Sequence, residues 1–276
     1  MAKKGNLSGV NDETIIEVKN LTKKFKDFTA VNNISFSVKK GDIFAFLGPN
    51  GAGKTTTIRM LTTLLRKTSG EIKVNGFDPE KEQDSVRKSL GIVFQDPSSD
   101  NELTAYENMD FHASLYSVPR EGRKERIEML LKFVGLLDRK DSFVKTFSGG
   151  MKRRLEIARG LLHHPKILFL DEPTLGLDVQ TRNHMWEYIK NLSEKEGMTI
   201  FFTTHYMNEA EKMAKHIAII DQGKIIIKGT GKEIMKKTKT KSLEEAFLKL
   251  TGHVIRDESG AGKKDAGRYS ARMWKA

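Results

Sequence analysis

Cysteine is absent from all 276 residues. No disulfide can form and no thiolate can hold a metal, a pattern that suits a cytosolic protein. Long apolar runs are missing too. The uncharged ones are short pieces such as ILFL (167–170) and IAII (217–220). A bilayer span needs roughly 18–20 apolar residues, so the chain is not expected to cross a membrane by itself. The opening MAKKGNLSGVNDE holds no apolar stretch, and no secretory signal is expected. Negative charge is the scarcer sign: 36 Asp+Glu against 48 Lys+Arg leave a net charge of +12. Such a balance suits either a nucleic-acid surface or an anionic partner such as the inner membrane leaflet. Residues 231–276 hold twelve Lys/Arg and six Asp/Glu, half of the excess, which reads as a solvated basic tail. Hydrophobic residues make up 38% of the chain, enough for a core, so wholesale disorder is excluded.

The chain shows no repeat of solenoid length and no heptad run. Residues 1–12 read as a flexible leader. IIEVKN (15–20) and ISFSVKK (34–40) read as strands by alternation and β-branched content, and GDIFAFLG adds a short apolar strand ending in glycine. Strands are expected again at 71–76 and 90–95. KILFLD (166–171), TIFFTTH (199–205) and HIAIID (216–221) are near-continuous apolar runs of the parallel-sheet kind. Strands alternating with helical patterns argue for an α/β fold with a parallel sheet. From about 101 to 162 only helical patterns occur, one opened by Pro119 and one beginning at Ser148, which suggests an inserted helical subdomain. Ordinary crossover helices with long loops are the alternative. Gln222-Gly223 marks a hairpin turn, KIIIKG follows as a strand, and SLEEAFLKLTG (242–252) opens on a capping box and stops at Gly252. Residues 253–276 are expected to form a weakly ordered basic tail.

Three stretches carry chemistry. Gly48-Pro49-Asn50-Gly51-Ala52-Gly53-Lys54-Thr55 matches G-x-x-x-x-G-K-[ST] between a strand and a helical pattern from Thr56 to Leu65. Glycines let backbone N–H groups curl around phosphate oxygens, and a helix N-terminus adds partial positive charge. Lys54 supplies a full charge and Thr55 a hydroxyl for Mg²⁺. A chance glycine-rich turn is the bland alternative. ILFLD-Glu172 ends an apolar strand in two carboxylates. Asp171 suits a magnesium shell and Glu172 suits proton acceptance from water, whereas Pro173 makes a simple helix N-cap the competing account. Phe147-Ser148-Gly149-Gly150-Met151 opens a helix, with Ser148 at the cap position and two glycines leaving N–H groups free for an anion. An unliganded capped surface helix would look the same.

Taken in order, these motifs resemble the ATP-binding cassette ATPases, the nucleotide-hydrolysing subunits of transporters. The match comprises a Walker A loop at 48–55, Gln95 as Q-loop, a signature at 148–152, Walker B at 167–171 followed by Glu172, Asp178 in a D-loop Leu-Gly-Leu-Asp, and His205 as H-loop. It covers about residues 14–252. The resemblance implies a P-loop NTPase core with a parallel sheet, an N-terminal antiparallel β subdomain and the inserted helical one, the cassette occupying 13–252. It implies ATP and Mg²⁺, with Thr55, Gln95 and Asp171 toward the metal and Glu172, Gln95 and His205 catalytic. Residues 48–55 and Thr56 would bind nucleotide, with Phe25 stacking on adenine; an ordinary half-buried strand residue is the alternative for Phe25. Ser148, Gly149, Gly150 and Met151 would grip the ATP of a second subunit, and Asp178 would face that subunit. The working form would be a homodimer or heterodimer at the cytoplasmic face of the cell membrane, joined to a separate permease, with no nucleic-acid partner. The signature departs from the family's commonest form, with Phe147 for Leu and Met151 for Gln. In that form it resembles the subfamily serving drug, antibiotic, lipid and polysaccharide exporters. A non-transport cassette ATPase acting on ribosomes or DNA is the competing class; it usually carries two cassettes or long coiled coils, and this chain has one P-loop and no heptad run.

Overall fold

The computed structural model describes residues 14–252; the expected leader and basic tail lie outside them. Two strands open the described residues, β1 (Thr14–Phe25) and β2 (Phe28–Lys39), followed by β3 (Ile43–Leu47) and helix α1 (Lys54–Leu61). Next come β4 (Ser69–Val74), α2 (Gln83–Ser89) and β5 (Leu90–Val93). Helices α3 (Ala105–Leu115), α4 (Arg123–Phe133) and α5 (Gly149–Gly160) then run without an intervening strand. The alternation resumes with β6 (Ile167–Asp171), α6 (Val179–Glu196), β7 (Thr199–Thr204), α7 (Met207–Met213) and β8 (His216–Asp221). β9 (Lys224–Gly229), α8 (Gly231–Thr238) and α9 (Leu243–Thr251) complete the described chain.

Two sheets form. β2-β1-β4 is antiparallel, and β5-β6-β7-β3-β8-β9 is parallel except for the β8–β9 hairpin. Strands β3, β6 and β7 are buried at every position, as a sheet covered on both faces demands. One face packs on the antiparallel sheet and α1, where Phe36, Phe44, Phe46 and Phe201 pack ring against ring. The other face buries Leu168, Leu170, Ile200 and Phe202 beneath the later helices.

Two local readings need correction. The helix expected at Pro119 starts instead at Arg123, after Gly122 in a left-handed conformation (φ 70°). The Arg123 guanidinium turns back to Ser114 Oγ at 2.7 Å and to the Val118 carbonyl, which ties Pro119 into the α3–α4 loop. Strand β5 stops at Val93, because the Phe94 carbonyl accepts from the Arg153 side chain.

Close backbone contact joins β5 to the end of α5. A Cβ on Gly91 would overlap the Gly160 carbonyl oxygen and lie 3.1 Å from Leu168 Cδ1. Gly91→Ala is therefore expected to destabilise the fold by about 2–3 kcal/mol, an overpacking cost set by the backbone of Gly160. A denaturation midpoint equal to that of the parent would contradict this packing.

Candidate functional site

Strand β3 ends at the centre of the parallel sheet, and the loop from Gly48 to Gly53 carries the chain into α1. That loop is confined. A Cβ on Gly48 would overlap the Ile220 carbonyl oxygen, and one on Gly53 would come within 2.6 Å of the Ala30 carbonyl oxygen. Gly53 also adopts φ +105°, which side-chain-bearing residues rarely reach. Glycine at these two positions lets the loop curl between β2 and β8; the Gly48 and Ala52 N–H groups bond the Thr204 and Pro49 carbonyls, and an anion would be met by other N–H groups of the loop.

Lys54, the first residue of α1, is only 5% exposed. Its ammonium donates to the Gly48 carbonyl at 2.7 Å and the Pro49 carbonyl at 3.2 Å, and lies 3.2 Å from Glu172 Oε1. Burial lowers the Lys54 pKa, while Glu172 and Asp171 oppose that shift. Glu172 is 9% exposed and sits just beyond β6 with φ 47°, a left-handed conformation unusual for glutamate. Its other oxygen lies 3.2 Å from His205 Nδ1. Burial would raise the Glu172 carboxyl, but His205 and Lys54 outweigh it and hold the group at about 2. His205 Nδ1 is buried against that carboxylate.

Thr203 links the two carboxylate residues: its hydroxyl donates to Asp171 Oδ1 at 2.6 Å and accepts from the Glu172 N–H at 3.0 Å. Sequence reasoning missed it, and missed Glu209, whose buried carboxylate accepts from the Thr204 hydroxyl at 2.9 Å and from the Thr174 hydroxyl. Asp171 and Glu172 do not open a helix; α6 begins seven residues later, capped by Asp178 accepting from Thr181 N at 2.9 Å. The helix N-cap account of the carboxylate pair is thereby excluded.

The structure thus brings Lys54, Asp171, Glu172, Thr203 and His205 together. Thr55 and Thr56 are half-buried in the first turn of α1. Gln95 is exposed beyond β5. Phe25 is half-buried at the end of β1, opposite Phe28, with the Lys23 ammonium 4.7 Å from its ring centre. Ser148 is exposed and caps α5, accepting from Met151 N at 3.3 Å. Gly149 follows it in the open, and Gly150 lies beside α6: a Cβ there would stand 2.5 Å from Thr181 Cγ2. Signature tip and D-loop therefore share one surface of the chain.

A glycine cradle with a lysine at the centre of a parallel sheet, and a carboxylate–histidine pair beside that lysine, define a P-loop nucleotide-binding ATPase. The family model described as ABC transporter matches residues 31–175. The chain is 42% identical over 242 residues to the linearmycin resistance ATP-binding protein LnrL of Bacillus subtilis (strain 168), covering 85% of this chain and 78% of that one. It is also 42% identical to the daunorubicin/doxorubicin resistance ATP-binding protein DrrA of Streptomyces peucetius, covering 79% and 66%. An ATP-binding subunit of an ABC transporter superposes with a TM-score of 0.78 at 30% identity, over 86% of this chain and 99% of that one. A dimeric ATP-binding cassette in a post-hydrolysis state, bound to ADP and Pi, gives 0.71 at 28% identity, over 78% and 98%. The chain belongs to the ABC transporter family, as an ATP-binding subunit and an ATPase. Among the described residues no helix is long and apolar enough to cross a membrane.

Proposed function

We propose that this chain hydrolyses ATP within a two-cassette assembly and so powers export of a drug-, antibiotic-, lipid- or polysaccharide-type substrate. The route is a separate integral permease, and the chain sits at the cytoplasmic face of the membrane. One observation carries the reading: the lysine–carboxylate–histidine cluster and the serine-led helix tip are distinct features of one chain. In a head-to-tail pair each would complete the other's site across the interface. Relatives named for resistance to linearmycin and to daunorubicin/doxorubicin support the export direction.

The residues fit a nucleoside triphosphate. The loop offers N–H groups and Lys54 a desolvated cation. For Mg²⁺ the candidates are Thr55, Gln95 and Asp171, all hard oxygen donors. Among the described residues no three His, Asp or Glu side chains form a metal-holding cluster. A bound Mg²⁺ supplies charge neutralisation at the phosphates.

The Lys54 ammonium contacts Gly48, Pro49 and Glu172. Lys54 turned toward phosphate would leave Glu172 with one cation fewer beside it, which raises the proton affinity of a carboxylate. Glu172 then accepts the proton of the attacking water, and His205 steadies both carboxylate and phosphate. Ser148, Gly149, Gly150 and Met151 close the opposite chain's site, with Asp178 at the seam and Phe25 against the base.

Affinity capture of the tagged chain from detergent-solubilised native membranes tests the assignment. The expected result is stoichiometric recovery of one integral membrane protein whose presence stimulates ATP hydrolysis. Recovery with ribosomes or DNA instead, and no membrane subunit, would refute it.

A further inference from the structure

Arg153 lies in the second turn of α5, five residues past Ser148, and is only 6% exposed. A buried guanidinium is costly unless its donors are used. Here they are. Nε donates to the Pro173 carbonyl at 2.7 Å, and one terminal nitrogen to the Asp171 and Glu172 carbonyls, both at 2.9 Å. The other terminal nitrogen donates to the Phe94 carbonyl. Burial pulls the group down to about 10, so it stays cationic at neutral pH. One side chain therefore holds the backbone of Asp171 and Glu172 and the residue just before Gln95.

A second grip lies one turn along the same helix. Glu156 accepts from Ser98 N at 3.1 Å, from Ser98 Oγ at 2.9 Å and from the Ser99 hydroxyl, fixing the chain just after Gln95. Helix α5 thus clasps the Gln95 loop on both sides and the carboxylate turn from below. Its capped tip faces outward. Displacing that tip displaces the guanidinium, because about 7 Å of continuous helix separates them.

We propose that Arg153 is a positioning residue that couples the two ATP sites of the assembled pair: it sets Glu172 and Gln95 of its own site by the position of α5, whose tip serves the opposite site. The inference rests on the two-chain reading above. No other side chain can substitute, since lysine keeps the charge but lacks the planar fork that reaches four carbonyls.

Arg153→Lys and Arg153→Gln, each in the full chain, test it against the parent. For R153K the expected result is a kcat at least ~10-fold lower, with the Kd for ATP within ~3-fold and an unchanged circular-dichroism spectrum. The Hill coefficient for ATP hydrolysis should fall from about 2 to about 1, a readout that mere loss of stability does not move. R153Q should show the same pattern more strongly. Parent-like kcat and cooperativity in either folded variant overturn the proposal, as does failure of both variants to fold, which would make Arg153 a folding strut. Glu172→Gln in an otherwise parental chain separates the two readings. If it pairs on ATP while R153K behaves as parent, the coupling role alone is lost. If it does not pair, the two-chain reading and the coupling role fall together.

Discussion

Glu172→Gln abolishes ATP turnover and traps the chain as nucleotide-bound pairs; a kcat ~10³-fold below the parent is expected, the scale of a lost general base. The amide keeps the shape of the carboxylate and the contact to Thr203, because that contact is made through the backbone N–H. What disappears is the negative charge between Lys54 and His205. Lys54, already desolvated, is left with fewer counter-charges and turns more readily to phosphate, so ATP binding should hold or tighten. The nucleotide-free fold should weaken at neutral pH. The carboxyl is held at about 2 against an ordinary 4.5, so its contribution is complete above about 4.5 and fades as pH falls toward about 2. The glutamine variant lacks that contribution at every pH, and its stability should vary less across the same acid window. Size-exclusion chromatography with Mg·ATP and a steady-state phosphate-release assay measure the two main effects. Full turnover in the variant would remove Glu172 from the role of base.

Lys54→Met is expected to act earlier, at binding. Methionine fills the space of the aliphatic stem but carries no charge, and the Gly48 and Pro49 carbonyls lose their donor. Truncating one partner of a buried, hydrogen-bonded charge pair costs about 2–5 kcal/mol, and a loss of that size in ATP affinity is ~30- to ~4,000-fold. Pairing driven by ATP should vanish with it. Equilibrium titration with ATP decides the matter: a Kd within a few-fold of the parent would mean that the glycine cradle alone carries the phosphate. The two substitutions divide the cycle, since one blocks entry and the other stops after binding.

Each motif that could be read from the sequence is contiguous in itself, although the motifs, from Gly48 to His205, lie far apart along the chain. Gly48 to Thr55 declares its chemistry because glycine conformation, helix start and lysine lie within one loop and one turn. Ser148 was legible as a cap for the same reason. Helix α2 and the true start of α4 were not, since each depends on side chains that reach back to neighbouring turns, as Arg123 does to Ser114. Thr203 and Arg153 were invisible on other grounds. Threonine in an apolar strand and arginine in a helix are ordinary residues, and only their partners make them notable.

The order of motifs and the wholly apolar strands determined, without coordinates, a nucleotide-binding α/β protein with a P-loop at the end of a central strand. Tertiary structure alone decided that Glu172 stands between Lys54 and His205, that Thr203 meets Asp171, and that Arg153 holds the carboxylate turn. The reason is the range of each cause. Loop shape and helix capping depend on dihedrals of adjacent residues, whereas Asp171 and Thr203 face each other through the parallel register of β6 on β7, residues 32 apart along the chain. No local preference encodes that register; burial of both faces of the sheet does.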